Sequence, residues 1–136
     1  MSSISTIALS GMNAAARRLE VSASNVANLG STGALPDANG AVPAGSPQAY
    51  APLDLVQTAS AGGGTQTSIT TAKPAYVATS APSAPFANQD GLVAAPNVDL
   101  GQQMIGMLVA KYSFAANATV MKAGDQMSKT LLDVTA

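Results

Sequence analysis

Several residue types that enzymes and metal sites depend on are missing from this chain. Its 136 residues include no cysteine and no histidine, which excludes thiolate nucleophiles, imidazole bases, disulfides and the commonest zinc ligands. The seven carboxylates are scattered over unlike segments and form no recognisable acid-base pair. We therefore expect no catalytic activity, no metal, no cofactor and no small-molecule substrate.

Charged and aromatic side chains are also scarce. Charged residues make up 10% of the chain, the formal net charge is -1, and no basic run is longer than Arg17-Arg18. Such a surface cannot neutralise many phosphates, so no nucleic-acid partner is expected. Aromatic residues are 4% and tryptophan is absent, which predicts a thin core. A chain that is 47% hydrophobic with so little charge is typical of a protein whose surface is covered by other subunits.

Apolar residues near the N-terminus repeat at steps of three and four, which predicts a helix over residues 4–29. Ser2, Ser3 and Ser5 are candidate N-caps, and Gly30 is placed to end the helix in the left-handed conformation. The apolar stripe of this helix consists of Leu9, Met12, Ala16, Leu19, Ala23 and Val26.

The middle of the chain, residues 30–96, is rich in Ala, Pro, Gly, Ser and Thr, and its prolines exclude a long helix. Residues 53–58 and 65–71 are predicted strands of a small β-hairpin, because Gly62-Gly63-Gly64 between them permits the positive φ angles of a turn. The segments 34–47 and 73–88 are predicted as surface loops or semi-extended arms.

Helical spacing returns from Asp99 to about residue 133 and predicts the longest helix of the chain. Pro96 precedes it, Asp99 is a candidate N-cap, and Gln102 stands where a capping box places Glu or Gln. Its first apolar stripe consists of Ile105, Val109, Tyr112, Ala116, Val120, Ala123, Met127, Leu131 and Val134. A second apolar set lies off that stripe and consists of Met104, Met107, Leu108, Phe114, Ala115, Ala118 and Met121.

These elements predict a mainly α fold. The N-terminal helix (1–29) and the C-terminal helix (97–136) pair as an antiparallel coiled coil, and the short irregular middle region (30–96) contains the small β-hairpin. We expect the first stripe of the C-terminal helix to pack on the N-terminal helix and the second set to contact other subunits, because one partner helix cannot cover both. A membrane is the weaker explanation of this second set, since Lys111 and several polar residues interrupt the apolar stretch.

Motifs at both ends resemble those of one protein family. Residues 19–28, with the distinctive Asn25-Val26-Ala27-Asn28 element and Ser10-Gly11-Met12 ahead of it, resemble the N-terminal signature of flagellar rod and hook proteins. The C-terminus resembles that of the C-type proximal-rod proteins, and the matching residues are Pro96-Asn97-Val98-Asp99, Met104, Ala110, Phe114, Ala116-Asn117 and Lys129-Thr130-Leu131. The chain departs from that pattern at Gln103, Tyr112 and Phe114, where the family often carries Glu, Arg and Tyr.

The resemblance implies a structural subunit of the proximal rod in the bacterial flagellar basal body. Such a subunit assembles with copies of itself and with other rod proteins, transmits motor torque, and reaches the periplasm through the flagellar type III export apparatus. Residues 1–10 show no basic start ahead of an apolar stretch, so export without a cleaved signal peptide is expected. The alternative from a different class is a secreted helical-hairpin factor that acts on a membrane or host partner.

Combining the apolar stripes with the family motifs predicts an assembly interface. Asn25 and Asn28 also fit a polar last turn of the helix, and the resemblance favours the contact role for them. The predicted interface residues are Leu9, Met12, Leu19, Asn25, Val26, Asn28, Asn97, Met104, Ile105, Leu108, Val109, Tyr112, Phe114, Asn117, Val120, Met127 and Leu131.

Overall fold

The computed structural model describes residues 4–37 and 40–135, which form two helices and four strands. A long helix stands at each end of the chain, and the strands lie between them in two antiparallel pairs. In chain order the elements are α1 (Ile4–Ala27), β1 (Leu53–Ala59), β2 (Thr65–Thr71), β3 (Tyr76–Ser80), β4 (Leu92–Pro96) and α2 (Leu100–Thr135).

The start of α2 agrees with the sequence prediction, and the end of α1 does not. Asp99 is the N-cap of α2, because its Oδ1 accepts a hydrogen bond of 2.9 Å from the Gln102 backbone N–H. At the other helix, Gly30 does not have a positive φ angle. The last turn of α1 is closed by Asn28, whose backbone N–H and side-chain Nδ2 both donate to the Ser24 carbonyl. Ser5 lies inside α1, and the candidate caps Ser2 and Ser3 lie outside the described residues.

The two helices pack antiparallel through faces made of small residues. Gly11 lies against the Asn117 side chain, and a Cβ on Gly106 would stand 3.0 Å from Ser22 Oγ. Ala8 and Ala110 are fully buried in the same interface. Glycine and alanine allow the two backbones to approach closely, so van der Waals contact along the interface comes largely from backbone and short side chains.

The prediction that the two apolar stripes form the contact between α1 and α2 is therefore wrong. Leu19 is 45% exposed, Val109 43% and Tyr112 67%. Their periodicity is helical, as expected, but a face of large side chains would hold the helices further apart than the face of small ones does. The small faces pair with each other, and the large apolar side chains remain on the outside.

The predicted hairpin is confirmed. β1 and β2 pair in register from Leu53↔Thr71 to Ala59↔Thr65, and Gly63 and Gly64 in the turn have φ angles of +86° and +83°. The hairpin lies along α1. The Thr65 N–H donates to Ser10 Oγ over 3.1 Å, and Arg18 donates to Gln57 Oε1 over 3.0 Å.

The rest of the middle region contains a second pair of strands, and this corrects the predicted fold class, which placed only one small β-hairpin there. β3 and β4 form a second two-stranded antiparallel sheet, and Gly33 adds an isolated bridge to Ala94. Val93 and Ala94 are each 1% exposed and form the core of this part. Alanine and proline have low strand propensity, and no tight turn joins the two strands, so local sequence gives little signal for them. The bridge to Gly33 joins this sheet to the segment that follows α1.

Candidate assembly surface

The outward face of α2 carries a continuous apolar strip, which we call the α2 outer stripe. Every member is exposed, and the larger side chains range from 43% exposed at Val109 to 79% at Val134. At 1.5 Å per residue the strip is about 44 Å long. The members of the α2 outer stripe are Ile105, Val109, Tyr112, Ala116, Val120, Ala123, Met127, Leu131 and Val134.

No charged residue belongs to the α2 outer stripe. Ala110 faces α1, and successive helical residues turn by about 100°, so Val109 and Lys111 lie on opposite flanks of α2. Lys122 and Lys129 follow at spacings that keep them on the flank of Lys111. A partner that covered the stripe would therefore bury apolar surface without desolvating a charge of this chain.

A second apolar surface lies on the opposite flank, in the groove between the helices. Leu19 and Ala16 of α1 face Lys111 and Phe114 of α2 across a groove of about 310 Å³. Leu9 continues this side of α1 and is about half exposed, while Met12 and Val26 are half-buried. Leu19 is thus the predicted N-terminal interface residue that lines the groove, and neither Leu19 nor Leu9 is buried in the contact between the helices.

The end of α2 extends beyond the described start of α1. Ile4 lies opposite Gly124, so residues 125–135 continue past it for about 16 Å. Leu131 is 59% exposed and Leu132 68%. A shallow cleft of about 450 Å³ lies at this end and is lined by Ala123, Gln126, Met127, Thr130 and Leu131.

The remaining predicted interface residues occupy varied positions. Met104 and Leu108 are more than half exposed. Asn97 is exposed, and its Nδ2 donates to the Pro74 carbonyl over 3.1 Å. Asn117 is half-buried opposite Gly11 and donates to the Ser113 carbonyl of its own helix over 2.8 Å.

Asn25 differs from all of these, because it is 1% exposed within its own chain. Its amide bonds to the backbone of Leu53 and to the side chains of Tyr50 and Gln103. Ser24 Oγ also lies 3.0 Å from Tyr50 Oη. Sequence reasoning found Asn25 through its motif but missed its partners, since 25 or more residues separate each of them from Asn25 and no local pattern links them.

Metal-binding side chains and membrane-spanning character are two further features of the described residues. Within 4–37 and 40–135, no group of three or more acidic, histidine or cysteine side chains comes together. By length and composition alone, Leu100–Val134 of α2 could cross a membrane, and only 6% of its most apolar window is buried in the chain. The exposed apolar helix faces are the main chemical feature of the molecule.

Comparison with known families identifies both ends of the chain. Residues 6–34 match the family described as flagella basal body rod protein. Residues 89–134 match the family described as flagellar basal body rod FlgEFG protein C-terminal. The chain belongs to the flagellar basal-body rod proteins. It is a structural protein of the flagellar basal body, and a search of curated proteins gave no significant match.

The two matched segments of this rod protein meet in the structure. The first contains nearly all of α1 and reaches Gly33, and the second contains β4 and nearly all of α2. They therefore supply both sides of the helix pair and both residues of the Gly33↔Ala94 bridge. The β1–β2 hairpin and β3 lie between the matched segments and pack onto this frame.

Proposed function

We propose that this rod protein is a subunit of the proximal rod, that it assembles with copies of itself and other rod proteins, and that it transmits motor torque. The observation that carries the proposal is the uncharged, exposed α2 outer stripe in a chain with rod-family sequences at both ends. Full burial of one large apolar side chain contributes about 1.5 to 3 kcal/mol. Covering the exposed part of the stripe would therefore supply a substantial driving force for assembly.

The packing of the helices supports a role in bearing load. Gly11, Ala15, Gly106 and Ala110 bring the backbones of α1 and α2 close together. An interface of small side chains has few rotamers to rearrange when the pair is twisted or bent. The long helix α2 would thus be held as one stiff element along most of α1, as a torque-bearing shaft requires.

The proposed place in the rod and the proposed route to it rest on resemblance and composition. The short middle region resembles that of C-type proximal-rod proteins and favours the proximal position. A chain without disulfides suits passage in unfolded form through the flagellar type III export apparatus, followed by folding in the periplasm. The export apparatus is therefore a proposed transient partner.

The decisive experiment is genetic and structural. Basal bodies from a strain lacking this protein, imaged by electron cryo-microscopy, are expected to lack a complete rod, and the strain is expected not to swim. A plasmid copy of the gene should restore both properties. Complete rods and normal swimming in the deletion strain would contradict the proposal.

The length and apolar character of α2 favour one second candidate, a secreted factor that acts on a membrane. This candidate predicts that the purified chain co-sediments with vesicles of mixed neutral and anionic lipid. The rod proposal predicts no such binding, because Lys111, Lys122 and Lys129 are the only basic residues of α2 and lie away from the α2 outer stripe.

A further inference from the structure

The Asn25 side chain replaces a strand partner of β1. Its Oδ1 accepts from the Leu53 N–H and its Nδ2 donates to the Leu53 carbonyl, both over 2.9 Å. The same oxygen accepts from Tyr50 Oη over 3.0 Å, and the same nitrogen donates to Gln103 Oε1 over 3.3 Å. A primary amide offers two donors and two acceptor positions, so every hydrogen-bonding position of Asn25 is used.

The geometry of the hairpin explains why Leu53 is available to Asn25. The Ala72 N–H donates to the Pro52 carbonyl, and hydrogen-bonded and non-hydrogen-bonded pairs alternate along an antiparallel ladder. The next pair, Leu53↔Thr71, therefore directs its backbone groups outward from the hairpin. Asn25 caps the outer edge of β1 at that point, while Ser10 caps the outer edge of β2 at Thr65.

Ser10, Arg18 and Asn25 of α1 all form side-chain hydrogen bonds to the hairpin, and Asn25 differs from the other two in one respect. Ser10 connects the hairpin to α1 alone, and its hydroxyl is partly exposed. Asn25 connects the hairpin to α1 and, through Gln103, to α2. Asn25 is 1% exposed where α1, α2 and the hairpin meet, and a hydrogen bond in a buried site no longer competes with water.

We propose that Asn25 is a latch that makes docking of the β1–β2 hairpin conditional on the pairing of α1 with α2. When the helices are apart, water competes for the Asn25 amide and the Gln103 acceptor is missing. When they pair, the amide is desolvated and must bond to Leu53 and Tyr50, since an unpaired buried amide is costly. The order of folding follows: the ends pair first, and the middle region is held in place afterwards.

A reversible lock on the helix pair provides the test. A Cβ on Gly106 would stand 3.0 Å from Ser22 Oγ, so Ser22→Cys with Gly106→Cys is the pair chosen to form a disulfide between the helices. The chain has no other cysteine, so oxidation and reduction would switch pairing in the full-length protein. The measurements belong at a urea concentration where circular dichroism shows helix in the oxidised form and loss of helix in the reduced form.

Amide hydrogen exchange at Thr65 reports docking of the hairpin. Its N–H bonds to Ser10 on α1, far from Asn25 along the helix. In the oxidised chain, the latch requires Asn25→Ala to speed exchange at Thr65 about tenfold or more, as it does at Leu53. The matched control is Asn28→Ala, whose side chain bonds to Ser24 and Ser31 and not to the hairpin; it should leave exchange at Thr65 slow.

The α2 side of the latch has its own matched pair of variants. Gln103→Ala should also speed exchange at Thr65 in the oxidised chain, whereas Gln102→Ala, an exposed neighbour, should not. If Asn25→Ala or Gln103→Ala speeds exchange at Leu53 alone and Thr65 stays slow, the hairpin docks without the latch and the proposal is overturned. Equal Thr65 exchange in the oxidised and reduced parent would overturn it as well.

Discussion

The two faces of α2 have opposite characters. The face toward α1 carries Gly106, Ala110 and Gly124 and is buried, whereas the face away from α1 carries large side chains such as Val109 and Tyr112 and is exposed. In a self-contained protein the larger apolar residues would form the core. This rod protein pairs its own helices through small residues and leaves the large apolar ones exposed.

The largest expected effect is on assembly, from a charge placed on an exposed apolar surface. Val109→Asp and Leu19→Asp should each abolish incorporation into the rod, because assembly would bury an unpaired carboxylate. Export should remain intact, as measured by the protein found outside the cytoplasm. Thr119→Asp, on the exposed side of α2 that already carries polar residues, is the control and should assemble. Normal swimming of both variants would show that these surfaces are not needed for assembly.

The next effect concerns apolar side chains of α2 that lie outside the α2 outer stripe. Met104→Ala with Phe114→Ala should weaken polymerisation by a few kcal/mol, since each side chain is about half exposed in the subunit and gains burial on assembly. The helix pair should remain, as judged by unchanged helical circular dichroism. A rod structure in which both side chains contact only their own chain would refute this prediction.

A substitution on the inner face should affect the subunit itself. Gly11→Leu should lower the free energy of unfolding by about 1 to 3 kcal/mol, because a side chain there collides with Asn117. Helix propensity alone would make this variant more stable, because replacing glycine favours the helix by up to about 1 kcal/mol. A loss of stability would therefore report the collision. Ala23→Leu, on the exposed side of the same helix, should change urea stability little. A more stable Gly11→Leu variant would mean that the helices are not held this close.

The smallest expected effect is at an exposed ion pair of α1. Arg17 Nη1 and Glu20 Oε2 are 2.9 Å apart, with both side chains more than half exposed. Glu20→Gln should change the free energy of unfolding by no more than about 0.5 kcal/mol. Thermal unfolding at low and high salt measures this change in stability. A loss above about 1 kcal/mol would show that the ion pair contributes more than an ordinary exposed pair.

Local patterns were sufficient for the helices and for one hairpin. Asp99 was recognisable as an N-cap because a cap bonds to a backbone N–H two or three residues later, within the same local segment. In the structure its carboxylate accepts from the Gln102 N–H. The β1–β2 hairpin was recognisable from its glycine turn. The β3–β4 sheet was missed because no tight turn joins its strands, and the Gly33 bridge to Ala94, some sixty residues away, leaves no local pattern.

The candidate site was predicted only in part. Met104, Leu108 and Phe114 are exposed in the subunit, as the sequence predicted, and their contacts in the rod stay a prediction. The choice of inner face was wrong, because a hydrophobic period ranks positions by polarity and gives no weight to how closely two backbones can approach. The partners of Asn25 could not be found, because Tyr50, Leu53 and Gln103 reach it only through the fold.

The sequence by itself determined where the helices lie, that the chain lacks thiol and imidazole chemistry, and that its ends carry rod-family motifs, because composition, spacing and caps act between near neighbours. Only the tertiary structure decided which faces of α1 and α2 meet, that residues 76–80 and 92–96 form a sheet, and that Asn25 is enclosed. Those outcomes depend on how closely the backbones of distant segments can approach each other. The spacing of residues along the sequence does not contain that distance.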